Sequence, residues 1–262
     1  MYKYGGIIVH QEHDDYGPVE VIENGYQRAL HFGSEAKQSC MDLQDPFYLS
    51  LSYTRAMLSA LLFHPAPRRV LLIGLGGGSL AKFIWQHFPE CRLDVVENRT
   101  LVHSVAQRYF KLPDDDRINI HITDAAEFIH HADSEHSAYD LILLDAFTAD
   151  GVAPSTTSMM FFAACRASLA ADGVMAANLW AEDAYKLEDI LGALADTFDG
   201  RLLRLPIDGK ANIITLAISQ GKPRKELRQL DARAKQLQQQ LDLEFISLLK
   251  TLRKHNRYWG YI

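Results

Sequence analysis

Four glycines within five residues constrain this chain more than any other feature. The run Val70-Leu-Leu-Ile-Gly74-Leu-Gly76-Gly77-Gly78-Ser79-Leu80 joins a short apolar, strand-like segment to one of helical character. Glycine reaches backbone angles closed to other residues and lets a ligand approach the main chain closely. A helix starting near Ser79 offers unpaired N–H groups to a polar or anionic group. About 20 residues further on, the next apolar run ends at Glu97, the spacing of a ribose-binding acid in a strand–helix–strand unit. A carboxylate there accepts hydrogen bonds from both ribose hydroxyls, or it caps the following helix.

The rest of the chain fits that unit. Strands are expected at 70–73, 93–96, 118–122, 141–144, 173–178, 201–206 and 212–218, with helices at 46–63, 80–88, 100–110, 124–131, 157–170 and 183–197. Such alternation implies a mostly parallel sheet with helices on both faces. Ligands of such sheets sit beyond the carboxyl ends of the strands, where Glu97, Asp124 and Asp145 fall. Asp124 can accept from an adenine amino group, cap the helix that follows, or do both. The strand ending at Asp145 leads into a loop with a second acid, Asp150. An acid there can hold a cationic amine; the alternative is an acid that orders its own loop. An amine of pKa near 10 loses its proton at neutral pH at a cost of about 4 kcal/mol. An aspartate of pKa about 3.9 therefore orients and stabilises more than it deprotonates.

Three regions follow: 1–45, 46–221 and 222–262. The first has strand-like runs around an Asn24-Gly25 turn, a hairpin signal, and reads as a small β cap. The last is helical. Its stripe Leu227, Leu230, Ala234, Leu237, Leu241, Phe245, Leu248 and Leu252 can pack on the domain or pair with a second subunit as a homodimer.

A formal charge of −6 over 262 residues argues against nucleic acid or an anionic membrane as partner. No run of about 18 apolar residues occurs, and the first 15 residues carry no signal-like apolar core. Cys40, Cys91 and Cys165 show no paired spacing, which points to a reducing, cytoplasmic setting. His130, His131 and His136 cluster on an expected helix end without convergent ligands, so no metal is expected. Trp180 either lines the pocket or packs. A nicotinamide dinucleotide fits the glycine spacing less well, because Ser79 stands where the third glycine would be. P-loop and G-x-S-x-G motifs are lacking.

From about Gly17 to Ser219 the chain resembles the spermidine synthase (polyamine aminopropyltransferase) family. The matching residues are Tyr16-Gly-Pro-Val-Glu-Val-Ile-Glu-Asn-Gly-Tyr-Gln27, His64-Pro-Ala-Pro-Arg-Arg-Val-Leu-Leu-Ile-Gly74, the glycine loop, Glu97, Asp124-Ala125 and Leu144-Asp145. The resemblance implies a Rossmann-like class I S-adenosylmethionine-dependent methyltransferase fold with an N-terminal β hairpin cap and a C-terminal helix. It implies a donor, S-adenosylmethionine or its decarboxylated form, held by Gly74, Gly76, Gly77, Gly78, Glu97, Asp124 and Ala125. It also implies a small amine acceptor, met by Gln27 and Tyr53, with Asp145 and Asp150 as catalytic acids. Three departures stand out. Gly77 replaces a loop aspartate that holds the donor's amine, Ser52-Tyr53-Thr54 replaces a Tyr-His-Glu stretch, and Thr148 replaces a second acid. Aminopropyl transfer, methyl transfer from the intact donor, and nucleoside binding without turnover are the three readings this leaves.

Overall fold

The computed structural model describes residues 1–131, 138–148, 151–181 and 183–257. Asp150, His136 and the aromatic residues 258, 259 and 261 lie outside them. The first region forms five antiparallel strands rather than one hairpin: β1 (Tyr2–Lys3), β2 (Gly6–Asp14), β3 (Gly17–Asn24), β4 (Gln27–His31) and β5 (Ser39–Asp42), in that order. The expected turn closes on Asn24 paired with Gln27, with Gly25 in the left-handed region. Neighbouring β5 has no alternating pattern, since Ser39, Cys40 and Met41 are all buried, and was not foreseen.

The chain continues through α1 (Ser52–Met57), β6 (Arg69–Ile73), α2 (Ser79–His87), β7 (Arg92–Glu97), α3 (Thr100–Phe110), β8 (Ile118–Ile122), α4 (Ala125–His131) and β9 (Tyr139–Leu144). A two-residue ladder, β10 (Phe147–Thr148) with β11 (Gly151–Val152), follows. Then come α5 (Met159–Ser168), β12 (Leu169–Trp180), α6 (Ala184–Thr197), β13 (Leu202–Pro206) and β14 (Asn212–Ile218). Of the expected helix over 46–63 only Ser52–Met57 is α-helical, and a 3-10 turn runs on from Leu58 to Leu62. Residues 46–51 stay irregular, and the Pro46 carbonyl is taken by the ammonium of buried Lys82 at 2.8 Å.

The main sheet has the order β13-β14-β12-β9-β6-β7-β8. All pairs are parallel except those of β14, which runs antiparallel to both neighbours. The strand order reverses between β6 and β9, the place where such sheets open a crevice at their carboxyl edge. One face buries Phe83, Leu61 and Phe245; the other buries Phe161, Phe162, Leu191 and Phe198. A third apolar cluster, with Val19, Leu30, Met41, Val105 and Phe110, joins the N-terminal sheet to α3.

The last region is not one helix. After α7 (Pro223–Glu226) come α8 (Asp231–Leu241) and α9 (Phe245–His255), separated where Asp242 turns left-handed. That turn accounts for the slip in the apolar stripe between Leu241 and Phe245. Every member of the stripe is buried and belongs to the domain's own core. Asn256 clamps the end by exchanging two hydrogen bonds with the backbone of Arg204 at 2.9 Å. The stripe therefore packs at home and presents no free face to a second subunit. No described helix is long and apolar enough to cross a membrane.

Candidate active site

A cavity of about 470 Å³ opens across the carboxyl ends of β6, β7, β8 and β9, within the usual size of a small-ligand site. Gly74 lets two chain segments pass in contact there. A Cβ at that position would lie 2.3 Å from the Asp145 carbonyl oxygen, and the residue has φ +93°. Gly76 lines the cavity, whereas Gly77 and Gly78 do not.

Glu97 is buried, and its carboxylate accepts from the Leu75 N–H at 3.1 Å and the Arg99 N–H at 3.0 Å. Burial raises its pKa, partly offset by those N–H groups. Each oxygen has accepted one bond and can accept another. Asp124 caps α4, Oδ1 accepting from Ala126 and Glu127 N–H at 2.8 and 3.2 Å. Ala125 stands at the start of that helix, and both line the cavity. Tyr16 and Phe32, from the N-terminal sheet, supply aromatic wall. They are held by Arg99, whose guanidinium bonds Asp14 at 2.7 Å and stacks 4.6 Å from the Phe32 ring centre.

Asp145 lines the cavity and is half-buried. Oδ1 accepts from Asn178 Nδ2 at 2.8 Å and Oδ2 from the Tyr53 hydroxyl at 3.2 Å. Asn178 is itself oriented by Asn212 at 2.9 Å. Burial pushes the Asp145 carboxyl up to about 6, with the two donors pulling the other way. The same environment drives the Tyr53 hydroxyl well above its usual range, through burial and then the neighbouring carboxylate. Phe147, Thr148, Val152, Thr156 and Lys186 line the cavity beyond. Trp180 does not line it; its ring stands edge-on behind Phe147 at 6.0 Å.

The structure thus brings Gly74, Gly76, Glu97, Asp124, Ala125, Tyr53 and Asp145 to one cavity. Gln27 does not join them: it starts β4 on the exposed surface, where its side-chain oxygen accepts from Lys37 at 3.2 Å. Gln38 lines the cavity instead. Sequence reasoning missed Gln38, Arg99, Lys186 and Asn178. Asn178 carried a usable signal, a lone polar residue in the apolar run Val-Met-Ala-Ala-Asn-Leu-Trp. Among the described residues no group of three His, Cys, Asp or Glu side chains is placed to hold a metal ion.

A sheet of this order, with its reversed strand and a glycine-loop cavity, defines the Rossmann-like class I S-adenosylmethionine-dependent methyltransferase fold, a fold of transferases. The spermine/spermidine synthase domain model matches residues 51–196. A polyamine aminopropyltransferase from Chromobacterium violaceum is 35% identical over 240 residues, 91% of this chain and 90% of the relative. The chain belongs to the spermine/spermidine synthase family, and it is a transferase. Among solved structures, a spermidine synthase in complex with the transition-state analogue AdoDATO superimposes with a TM-score of 0.67 at 20% identity, over 86% of this chain and 79% of that one. Human methyltransferase-like protein 13 in complex with SAH gives 0.66 at 25% identity, over 73% and 93%.

Proposed function

We propose that this protein transfers an alkyl group, of the aminopropyl type, from a sulfonium nucleoside to a small amine. The observation that carries the reading is Asp145: a carboxylate fixed by two side-chain donors and lining a nucleoside-sized cavity. The fit of an adenosyl group rests on the spare acceptor capacity of Glu97, suited to two ribose hydroxyls. It rests also on the second oxygen of Asp124, which has no protein partner among the described residues. Gly74 and Gly76 let the main chain lie close against it. A relative that acts on polyamines and a fold-mate that holds AdoDATO support the same choice of ligand.

The donor supplies a carbon made electrophilic by positive sulfur. As the amine nitrogen bonds that carbon, the C–S pair stays on sulfur as a neutral thioether, and nitrogen sheds one proton. Asp145 holds the amine against the donor, which removes the entropic cost of their meeting. Its raised pKa also narrows the gap to an amine near 10 from about six units to about four. Proton acceptance becomes less uphill, while the group stays mostly ionised at neutral pH. Asn178 and Tyr53 each use one acceptor site of the carboxylate and leave others for the amine. Asp150 remains a candidate second acid by resemblance.

A second reading, methyl transfer from intact S-adenosylmethionine, is favoured by Gly77, which leaves the loop without an acid, and by the likeness to a methyltransferase that holds SAH. Incubation with each donor and a panel of mono- and diamines, read by mass spectrometry, separates the two. An amine heavier by an aminopropyl group supports the first reading, one heavier by a methyl group supports the second, and no alkylated amine with either donor contradicts both.

A further inference from the structure

The donor-binding wall of the cavity is built from the glycine loop, the start of α2 and the segment leading into β5. It carries hydroxyls rather than charges. Ser39 Oγ and Ser79 Oγ lie 3.1 Å apart, and both residues line the cavity, beside Gln38 and Tyr53. Two hydroxyls own two protons, and the bond between them uses one. The other is free to donate into the cavity. The helix α2 begins at Ser79, so the N–H groups of its first turn have no partners inside the helix, and Ser79 and Leu80 face the cavity. That end of a helix favours negative charge.

The loop has no way to set an acid against this wall at position 77. A Cβ there would meet Ser39 Oγ at 2.8 Å and the Phe110 ring at 2.9 Å, because that side of the loop is packed against β5 and α3. The acids that line the cavity, Glu97, Asp124 and Asp145, stand at the ends of β7, β8 and β9. Among the described residues none comes from the loop, β5 or α2.

We infer that this wall accepts a donor tail bearing a carboxylate, binding a sulfonium nucleoside with an intact amino-acid tail at least as tightly as one whose tail ends in an amine alone. The inference rests on the nucleoside reading of the cavity given above. The proton that the Ser39–Ser79 bond leaves unused donates to the carboxylate, the start of α2 adds a favourable field, and no acid of the wall repels it.

Calorimetric titration of the full chain with three ligands tests this: 5′-methylthioadenosine, which has no charged tail, S-adenosylmethionine, and decarboxylated S-adenosylmethionine. The wild type is expected to bind the intact donor as tightly as the decarboxylated one or more so. Ser79→Asp adds an acid at a helix start, where it is tolerated. It is expected to shift the ratio of the two affinities toward the decarboxylated donor by tenfold or more. Ser79→Ala is expected to weaken the intact donor alone, by several-fold. Tenfold preference for the decarboxylated donor in the wild type, or an unchanged ratio in Ser79→Asp, overturns the inference. Failure of 5′-methylthioadenosine to bind the wild type instead removes the nucleoside reading, and the inference with it.

Discussion

Glu97 and Asp145 are both acids at strand ends, yet the molecule holds them in different ways. Glu97 is gripped by main-chain N–H groups of its own loop and of the glycine loop, all within 22 residues of chain. Asp145 is gripped by side chains from α1 and β12, 92 and 33 residues away. A backbone grip is rigid and survives changes of side chain. A side-chain grip can be tuned; here burial raises the carboxyl to a pKa of about 6 against the pull of its two donors. In the proposed function, the Glu97 half of the cavity binds the nucleoside and the Asp145 half adjusts a charge.

Asp145→Asn breaks the comparison most sharply. An amide can still accept from Asn178 and donate to the Tyr53 oxygen, while that hydroxyl donates to the Gln38 carbonyl, already 3.4 Å away. Turnover is expected to fall by about 10²–10³-fold with nucleoside affinity kept, as single-turnover kinetics and calorimetry would show. Stability should respond in the opposite sense. A carboxyl whose pKa is raised on folding binds more protons in the native state between about pH 4 and 6, so the native state loses stability as pH rises through that window. The loss is at most about 3 kcal/mol, and less while water in the cavity screens the charge. Thermal melts of Asp145→Asn should lack this component and show an equal or higher Tm at neutral pH.

Glu97→Gln should act on the other half. The amide sets its NH₂ against one of two N–H groups that the carboxylate accepts, and weakens its hold on ribose. A loss of 1.5–3 kcal/mol for bonds to a charged group corresponds to about ten- to a hundredfold in nucleoside affinity by titration. Equal damage from Glu97→Gln and Asp145→Asn to binding would erase the division between the halves. The smallest effect is expected at Lys186, an exposed cation at the cavity rim. Lys186→Ala should tighten a dicationic acceptor over a monoamine by a few-fold, and more at low salt, read as the ratio of KM values.

The contrast also explains what could be read from the sequence. The nucleoside half is local: a glycine loop between strand and helix, then an acid at the next strand end, all in chain order. The main sheet was legible for the same reason, with α3 and β8 expected at the limits the structure shows. The Asp145 half was legible only in Asp145 and, through family resemblance, Tyr53. Asn178, Asn212 and Lys186 reach it from elements that are adjacent only once the sheet is ordered. Gln27 was expected near the substrate because Tyr16–Gln27 resembles the family's hairpin with its glutamine, but β5 pairs back onto β4 and Gln38 lines the cavity. The C-terminal stripe was visible as apolar spacing; which surface it covers depended on the turn at Asp242.

The pH dependence of kcat/KM for the wild type and for Asn178→Ala tests the role of Asp145 most directly. In the proposed mechanism an ionised Asp145 holds the amine, so the wild-type profile should fall on the acid side with a limb near pH 6. The limb of kcat should lie lower, because a bound ammonium favours the charged carboxylate. Removing the Asn178 donor takes away a bond worth 1.5–3 kcal/mol to the charged form, which should move the kcat/KM limb up by about one unit or more. A wild-type profile with no limb above pH 5, or a limb that Asn178→Ala leaves in place, would contradict the account.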